Sequence, residues 1–343
     1  MRAGYIEKPL SAMFRDDMPE PQITKPNEVK IKVAVTGICG SEVHAYHGRH
    51  AWRVPPLVSG HEFAGTIVEV GSGVTKYKVG ERVTAEPQYG CGKCEACKSG
   101  RYNLCIDKKI LGATYWSGSF GEYVVVPEQC VIPLPDGVSL EQGALIEPIA
   151  VGMHAVRERK IDENSTIAVI GCSTIGLGII LSAKSFHAKQ VIGIDIAEFN
   201  LGKALEMGAD AVVNSAKESV QERVMELTGG RGVDVTFMGS FGNDVCMKQA
   251  ADITIRGGTI TDVAVMQNGV PAPMSDIQIK ELKLCGSNMY TAEDFRYVIR
   301  GIDEGIIPLD SFVTHRFTIE QMKEAMEFAD KRPEPMVKVV MKF

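Results

Sequence analysis

The sequence predicts a mixed α/β protein in which an irregular β-barrel is followed by a doubly wound parallel sheet. Three observations carry this expectation. At 343 residues the chain is longer than one hydrophobic core usually serves. Up to about residue 150 the pattern is one of short alternating strands punctuated by glycine and proline. From about 151 strands and helices take turns, the beat of a parallel sheet with crossover helices.

In the first region residues 29–35 alternate Val, Lys, Ile, Lys, Val, Ala, Val, as a half-buried strand does. Residues 63–70 and 82–85 repeat the idea, with Gly71-Ser72-Gly73 and Val79-Gly80-Glu81 as turns, and 123–126 and 130–134 add two short strands. The density of turn residues speaks for a small barrel with loops rather than for helices. In the second region 165–170 reads as a buried strand, 175–185 as a helix, and 190–194 as a strand ending at Asp195. A helix over 199–207 closes at Gly208, then come a strand at 211–213, a helix at 219–227, a strand at 233–238 and a helix at 244–253. Gly257-Gly258 precedes a strand at 259–263. From about 285 the irregular style returns, with helices near 292–305 and 319–329 and an alternating strand at 336–341. That last strand is expected to rejoin the first sheet. One domain would then comprise 1–150 and 286–343 and enclose a second, 151–285.

Composition narrows the function. With 45% hydrophobic and 23% charged residues the chain falls in the ordinary globular class. A net charge of -6 and the lack of a basic block argue against a nucleic-acid partner and leave a small molecule. The first residues lack the pattern of a secretory signal, so a cytoplasmic location is expected. The uncharged run 166–183 nears the length of a membrane span, but Gly171, Gly176 and Gly178 interrupt it; a buried strand and helix account for it better than a membrane partner. Nine cysteines without an export signal are expected to be thiols or metal ligands.

Four of those cysteines cluster as Cys91-Gly92-Lys93-Cys94-Glu95-Ala96-Cys97, with Cys105 following. Thiolates at this spacing wrap one ion tetrahedrally and leave no open position, which points to a structural zinc. An iron-sulfur cluster is the competitor, and the charged residues between the ligands fit an exposed zinc lobe better. A second constellation lies in Gly60-His61-Glu62-Phe63-Ala64-Gly65, where an imidazole and a carboxylate stand side by side. Adjacent residues cannot close a metal site alone, and Cys39 upstream and Glu147 downstream are the best further donors.

The turn Gly171-Cys172-Ser173-Thr174-Ile175-Gly176 joins a strand to a helix, as the dinucleotide fingerprint does, but carries Ser173 at the middle glycine position. Asp195, ending the next strand, is placed to accept hydrogen bonds from ribose hydroxyls and to repel a 2′-phosphate; no Arg or Lys follows within 196–200, so NAD is favoured over NADP. Asp195 also suits a helix cap.

With these motifs in hand, the chain resembles the zinc-dependent medium-chain dehydrogenase/reductase (alcohol dehydrogenase) family across essentially its whole length. Cys39-Gly40-Ser41, the His61-Glu62 turn, the four-cysteine lobe and Glu147-Pro148 come in the family's order, and 143–152 and 313–317 look like the branch of sorbitol, threonine and butanediol dehydrogenases. The resemblance implies a GroES-like barrel carrying the catalytic zinc and a Rossmann domain binding NAD, two zinc ions per chain. Cys39, His61 and either Glu62 or Glu147 would hold the catalytic ion, with Ser41 and His44 as a proton relay. Gly171, Ser173, Ile175, Gly176, Asp195, Val263, Ala264 and Ser287 would lie along the cofactor. It further implies a homo-oligomer, commonly a tetramer. Two departures concern the cofactor, Ser173 and Asn200, the latter standing where relatives often carry a basic residue. A third is Met289, where sorbitol dehydrogenases place an arginine. The expected activity is NAD-linked oxidation of a secondary alcohol or polyol, with zinc lowering the alcohol's pKa so that hydride can leave for nicotinamide. Alternatives are an L-threonine 3-dehydrogenase and a non-catalytic NAD-binding sensor. His47, His50 and His154 read as loop or packing residues, and Tyr46, Trp52, Trp116 and Phe120 as pocket linings or loop covers.

Overall fold

A computed structural model describes residues 1–239, 243–264 and 269–343. The chain forms two compact units: Met1–Glu147 with Thr291–Asp303 and Leu309–Phe343, and Pro148–Tyr290 with Glu304–Pro308.

The first unit is built on a seven-stranded sheet. Its long central strand, Glu28–Ile38, pairs antiparallel with Glu62–Val70, with Tyr123–Pro127 and with the C-terminal strand Lys338–Lys342. Arg82–Ala85 and Val131–Pro133 continue one side, and Val313–Thr318 closes the other in parallel with Lys338–Lys342. The period-2 pattern does what it should: Val29, Ile31 and Val33 are buried in one cluster with Phe63, Ile67, Val83 and Val124. Two elements depart from the sequence expectation. The N-terminal segment, left unassigned by pattern, forms the hairpin Ala3–Lys8 with Ser11–Arg15, whose Ala3 and Ile6 pack on the helix Met322–Lys331. The region read as helix-poor contains Gly40–Tyr46, a two-turn helix that starts where the central strand ends.

The second unit holds a six-stranded parallel sheet. Its order is Ala211–Asn214, Gln190–Asp195, Thr166–Ile170, Val233–Met238, Thr254–Asp262 and Lys283–Gly286. This is the doubly wound arrangement that alternating strands and helices imply, with the strand order reversing beside Thr166–Ile170. Thr166–Ile170 is buried along its whole length because helices cover both faces. The helix Met274–Lys280 and the edge strand Lys283–Gly286 were not legible in advance; both are short and largely exposed, so neither carries a strong apolar period.

The helix Leu140–Glu158 belongs partly to each unit and contains Pro148. Proline gives no N–H to the carbonyl one turn earlier, which loosens the helix there, next to Glu147. No helix of the described residues is long and apolar enough to cross a membrane.

Candidate active site

The first unit brings His61, Glu62 and Glu147 together, with one donor atom of each within 4.8 Å of the others, and brings Cys39, Glu42 and His61 together by the same measure. Cys39 leaves the central strand just before the helix Gly40–Tyr46, and His61 enters the neighbouring strand just before Glu62. Antiparallel pairing sets Gly37 opposite Glu62, which brings these two strand ends side by side. Glu147 arrives from the helix Leu140–Glu158. His61 Nε2 lies 3.8 Å from Glu147 Oε1. Ligands at tetrahedral angles around one zinc are about 3.3–3.8 Å apart, given zinc–ligand distances of about 2.0–2.3 Å. The donor set and its spacing fit that ion.

The two carboxylates near His61 are in different states. Glu62 is fully buried and both its oxygens accept from Lys338 Nζ, at 2.7 and 2.9 Å. Lys338 is itself buried; burial works against its charge, but Glu62 and Cys39 hold it and its pKa is raised. A Cβ on Gly37 would stand 2.0 Å from Glu62 Oε2, so only glycine there leaves room for this pair. Glu62 is thus paired with Lys338, while Glu147 is the carboxylate whose Oε1 faces His61 Nε2.

A third carboxylate, Glu42, was missed by sequence reasoning. It is completely buried, and its Oε1 accepts from His61 Nδ1 at 2.9 Å and from Ser59 Oγ at 3.1 Å, while Oε2 accepts from the backbone N–H of Cys39 at 3.1 Å. Burial alone would raise its pKa, but His61 and the Arg53 guanidinium hold it well below the usual carboxylate range. These contacts occupy Glu42, so it orients His61 rather than competing as a ligand: with Nδ1–H donated to Glu42, Nε2 keeps its lone pair. For His61 burial disfavours the charge, yet Glu42, Glu147 and Cys39 together more than offset this and the pKa is raised. A signal existed, since Glu42 stands third in the helix that Cys39 caps. Lys338 and Arg53 gave none.

Of the expected relay, Ser41 and His44 are three residues apart and share a face of the helix Gly40–Tyr46. Ser41 Oγ is buried with no hydrogen-bond partner among the described residues, and His44 is exposed. His47 instead pairs with Asp330 at 2.8 Å. Phe120 is a core residue, and Tyr46 is buried with its hydroxyl on Leu10 O, so neither is a pocket lining.

The four cysteines Cys91, Cys94, Cys97 and Cys105 converge with all donor sulfurs within 4.8 Å, Cys91 and Cys97 being 4.0 Å apart. Cys94 precedes the one-turn helix Glu95–Lys98, and backbone N–H groups of Lys93 and Cys94 pull the Cys91 thiol down towards its anion. This set also fits a tetrahedral ion with no open position.

In the second unit Gly171 adopts φ +89°, and a Cβ on Gly176 would lie 1.8 Å from Gly171 O, so the turn needs both glycines. Ser173 is different. It precedes the helix Thr174–Ser185 at φ -82°, where any residue is accommodated, which explains why the missing middle glycine does not spoil the turn. Asp195 accepts from the N–H of Cys172 at 2.7 Å, the N–H of Ala197 at 2.9 Å and Asn200 Nδ2 at 3.1 Å. It is not the helix cap, a position held by Ala197. Asn200 therefore steadies the carboxylate that it stands beside. Val263 and Ala264 both donate to Met238 O, and Ser287 N donates to Asp262 O, at the carboxyl ends of adjacent strands. Ser287 Oγ is buried and unpartnered among the described residues.

Comparison with known proteins agrees with this geometry. Residues 25–136 match the alcohol dehydrogenase GroES-like domain, and 174–304 the zinc-binding dehydrogenase domain. Sorbitol dehydrogenase of Bacillus subtilis (strain 168) is 38% identical over 318 residues, covering 92% of this chain and 89% of that one. The crystal structure of 2R,3R-butanediol dehydrogenase from Bacillus subtilis superposes with a TM-score of 0.91 at 34% identity, covering 100% and 99% of the two chains. That of a short chain alcohol dehydrogenase from Escherichia coli CFT073, complexed with cofactor NADH, gives 0.90 at 30% identity with 100% and 99% covered.

Proposed function

Because this chain belongs to the zinc-binding alcohol dehydrogenase family, we propose that Cys39, His61 and Glu147 hold a catalytic zinc at which a polyol or diol is oxidised with NAD. The protein is an oxidoreductase of alcohol CH–OH donors that uses zinc and NAD. Relatives named for sorbitol and butanediol favour that substrate class over L-threonine.

Zinc supplies Lewis acidity that brings an oxygen's pKa towards neutrality, and NAD supplies the hydride acceptor. The residues do the rest. Cys39 Sγ, His61 Nε2 and a Glu147 oxygen would hold the ion and leave a position for the alcohol. Glu42 keeps the His61 lone pair aimed at the ion. Lys338 engages both oxygens of Glu62 and keeps it out of the ligand set. Ser41 Oγ, buried and unpartnered among the described residues, would accept the alcohol's proton while giving up its own towards His44, and exposed His44 would release that proton to water. Gly171, Ser173, Ile175 and Gly176 would hold the cofactor's pyrophosphate, Asp195 would accept from its ribose hydroxyls, and Val263, Ala264 and Ser287 would lie along it further on. Cys91, Cys94, Cys97 and Cys105 hold a second, structural zinc.

One observation supports this reading above the others: Cys39 and Glu147, from separate stretches of chain, each bring a donor within 4.8 Å of a His61 donor, and the imidazole's Nδ1 is already engaged by Glu42. The test is metal analysis combined with reduction of NAD on a panel of polyols, diols, sugar acids and threonine. Wild type is expected to carry two zinc ions per chain and to oxidise polyols or diols. Cys39→Ser should retain one ion and lose turnover by a factor of about 1,000 or more, the order of effect expected when an essential electrostatic catalyst is removed. Full activity of that variant would refute the assignment.

Further to this, we propose a cytoplasmic homo-oligomer, a tetramer by family resemblance. The four-cysteine lobe offers apolar surface for such a contact, Ile106 being 93% exposed beside Leu104 at 39%.

A further inference from the structure

Arg53 is an arginine on a loop that the mechanism above does not use, and it is only 4% exposed. A guanidinium leaves water only for partners of comparable strength. Its Nε lies 3.2 Å from Glu42 Oε1, its Nη2 3.2 Å from His61 Nδ1 and 3.4 Å from Leu111 O, and its Nη1 3.3 Å from His50 Nε2. His50 is tied down in turn, since its Nδ1 accepts from the N–H groups of Trp52 and Arg53, both at 3.1 Å. One planar guanidinium thus pairs with the carboxylate that orients His61, lies against the edge of the His61 ring, and donates to the backbone of a separate loop.

We propose that Arg53 is a positioning residue of the catalytic metal site. It supplies the countercharge for buried Glu42 and holds the Glu42–His61 pair in the one arrangement that points Nε2 outward. The reason is geometric. Apart from Arg53, the buried Glu42 carboxylate is held by Ser59 Oγ, His61 Nδ1–H and the N–H of Cys39. Arg53 ties it to a separate loop, pairing with Glu42 Oε1 at 3.2 Å while donating to Leu111 O at 3.4 Å. Without that anchor Glu42 can rotate, and the His61 ring turns with it, moving Nε2 from the position the ion needs. Arg53 therefore fixes the direction in which His61 presents Nε2.

This inference rests on the catalytic-zinc reading, and the experiment separates the two. Arg53→Met keeps the length and loses the charge; Arg53→Lys keeps the charge and loses the fork. The affinity of each ion is measured by chelator competition, and the geometry by the visible absorption of cobalt(II) substituted at the catalytic site. Arg53→Met is expected to bind the catalytic ion about 10- to 100-fold more weakly, as loss of an outer partner of a ligating histidine does, and to shift the cobalt bands. The four-cysteine ion should be unchanged and serves as the internal control. Arg53→Lys should recover part of the affinity but not the wild-type spectrum, and it carries the test alone should Arg53→Met not fold. Wild-type affinity and spectrum in either folded variant would overturn the proposal, as would parallel weakening of both ions, which marks general destabilisation. If Cys39→Ser loses no ion, the catalytic-zinc reading itself fails.

Discussion

At the scale of single residues, the site depends on buried charges that are each matched by one partner. Lys338 and Glu62 are the clearest pair, both almost completely inaccessible and bonded at 2.7 and 2.9 Å. Breaking such a pair strands a charge, at a cost of about 3–5 kcal/mol. Lys338→Met is expected to lose about that much in urea unfolding, and Glu62→Gln combined with it to recover more than half; equal losses in the single and double variants would disprove the pairing. Glu86 shows the opposite case. It is buried with Tyr102 Oη donating at 2.8 Å, and burial raises its pKa from 4.5 to about 8. The folded state therefore holds a proton that the unfolded chain releases near pH 4.5. This contribution is complete below that pH and is lost as pH rises through about 8. Glu86→Gln should flatten the fall in unfolding midpoint between pH 5 and 9, and an unchanged slope would show that Glu86 is not its source.

At the scale of elements, strand ends and helix starts do the positioning. The central strand delivers Cys39 and then turns at Gly40 into a helix that carries Ser41, Glu42 and His44 within one turn of one another. This is why the proposed relay, the carboxylate that bonds to His61 and the Cys39 donor are found in six residues of sequence. The four-cysteine loop is another self-contained element. It has little secondary structure beyond Glu95–Lys98 and the turn Tyr102–Leu104, so the proposed structural ion would hold its shape. Cys94→Ser should lose one of two zinc ions and lower the thermal midpoint while turnover per remaining ion is largely kept. Loss of turnover without loss of stability would reassign the lobe to catalysis.

On the scale of the whole molecule, the two units carry different halves of the chemistry, zinc donors in one and the dinucleotide turn in the other. Ligand binding to the second unit can be read as stability. NAD at about 100 times its Kd should stabilise the protein by about 2.7 kcal/mol. In Asp195→Ala that shift should shrink for NAD and grow for NADP, and kcat/KM should follow the same preference. An unaltered NAD to NADP ratio would remove Asp195 from the ribose site. Among the described residues, the fold itself was legible wherever periodicity was strong: the buried strand at Thr166–Ile170, the amphipathic helix Val220–Leu227 and the alternating Glu28–Ile38 each follow from pattern. The N-terminal hairpin was not, because its half-buried residues show no clean alternation and its stability comes from packing against Met322–Lys331, late in the chain.

What the sequence determined by itself is what lies close together along the chain. Four cysteines within fifteen residues, a glycine turn between a strand and a helix, and an acidic residue ending the next strand are local chemical statements, and geometry over such distances leaves few alternatives. What only the tertiary structure decided is which partner each of several equivalent groups meets. Glu62 and Glu147 look alike in the sequence; the fold sets Lys338, 276 residues away, on both oxygens of Glu62 and places Glu147 Oε1 3.8 Å from His61 Nε2. Glu42 and Arg53 acquire their roles in the same way, because a buried charge is defined by whichever partner the fold brings to it, and that partner can come from anywhere in the chain.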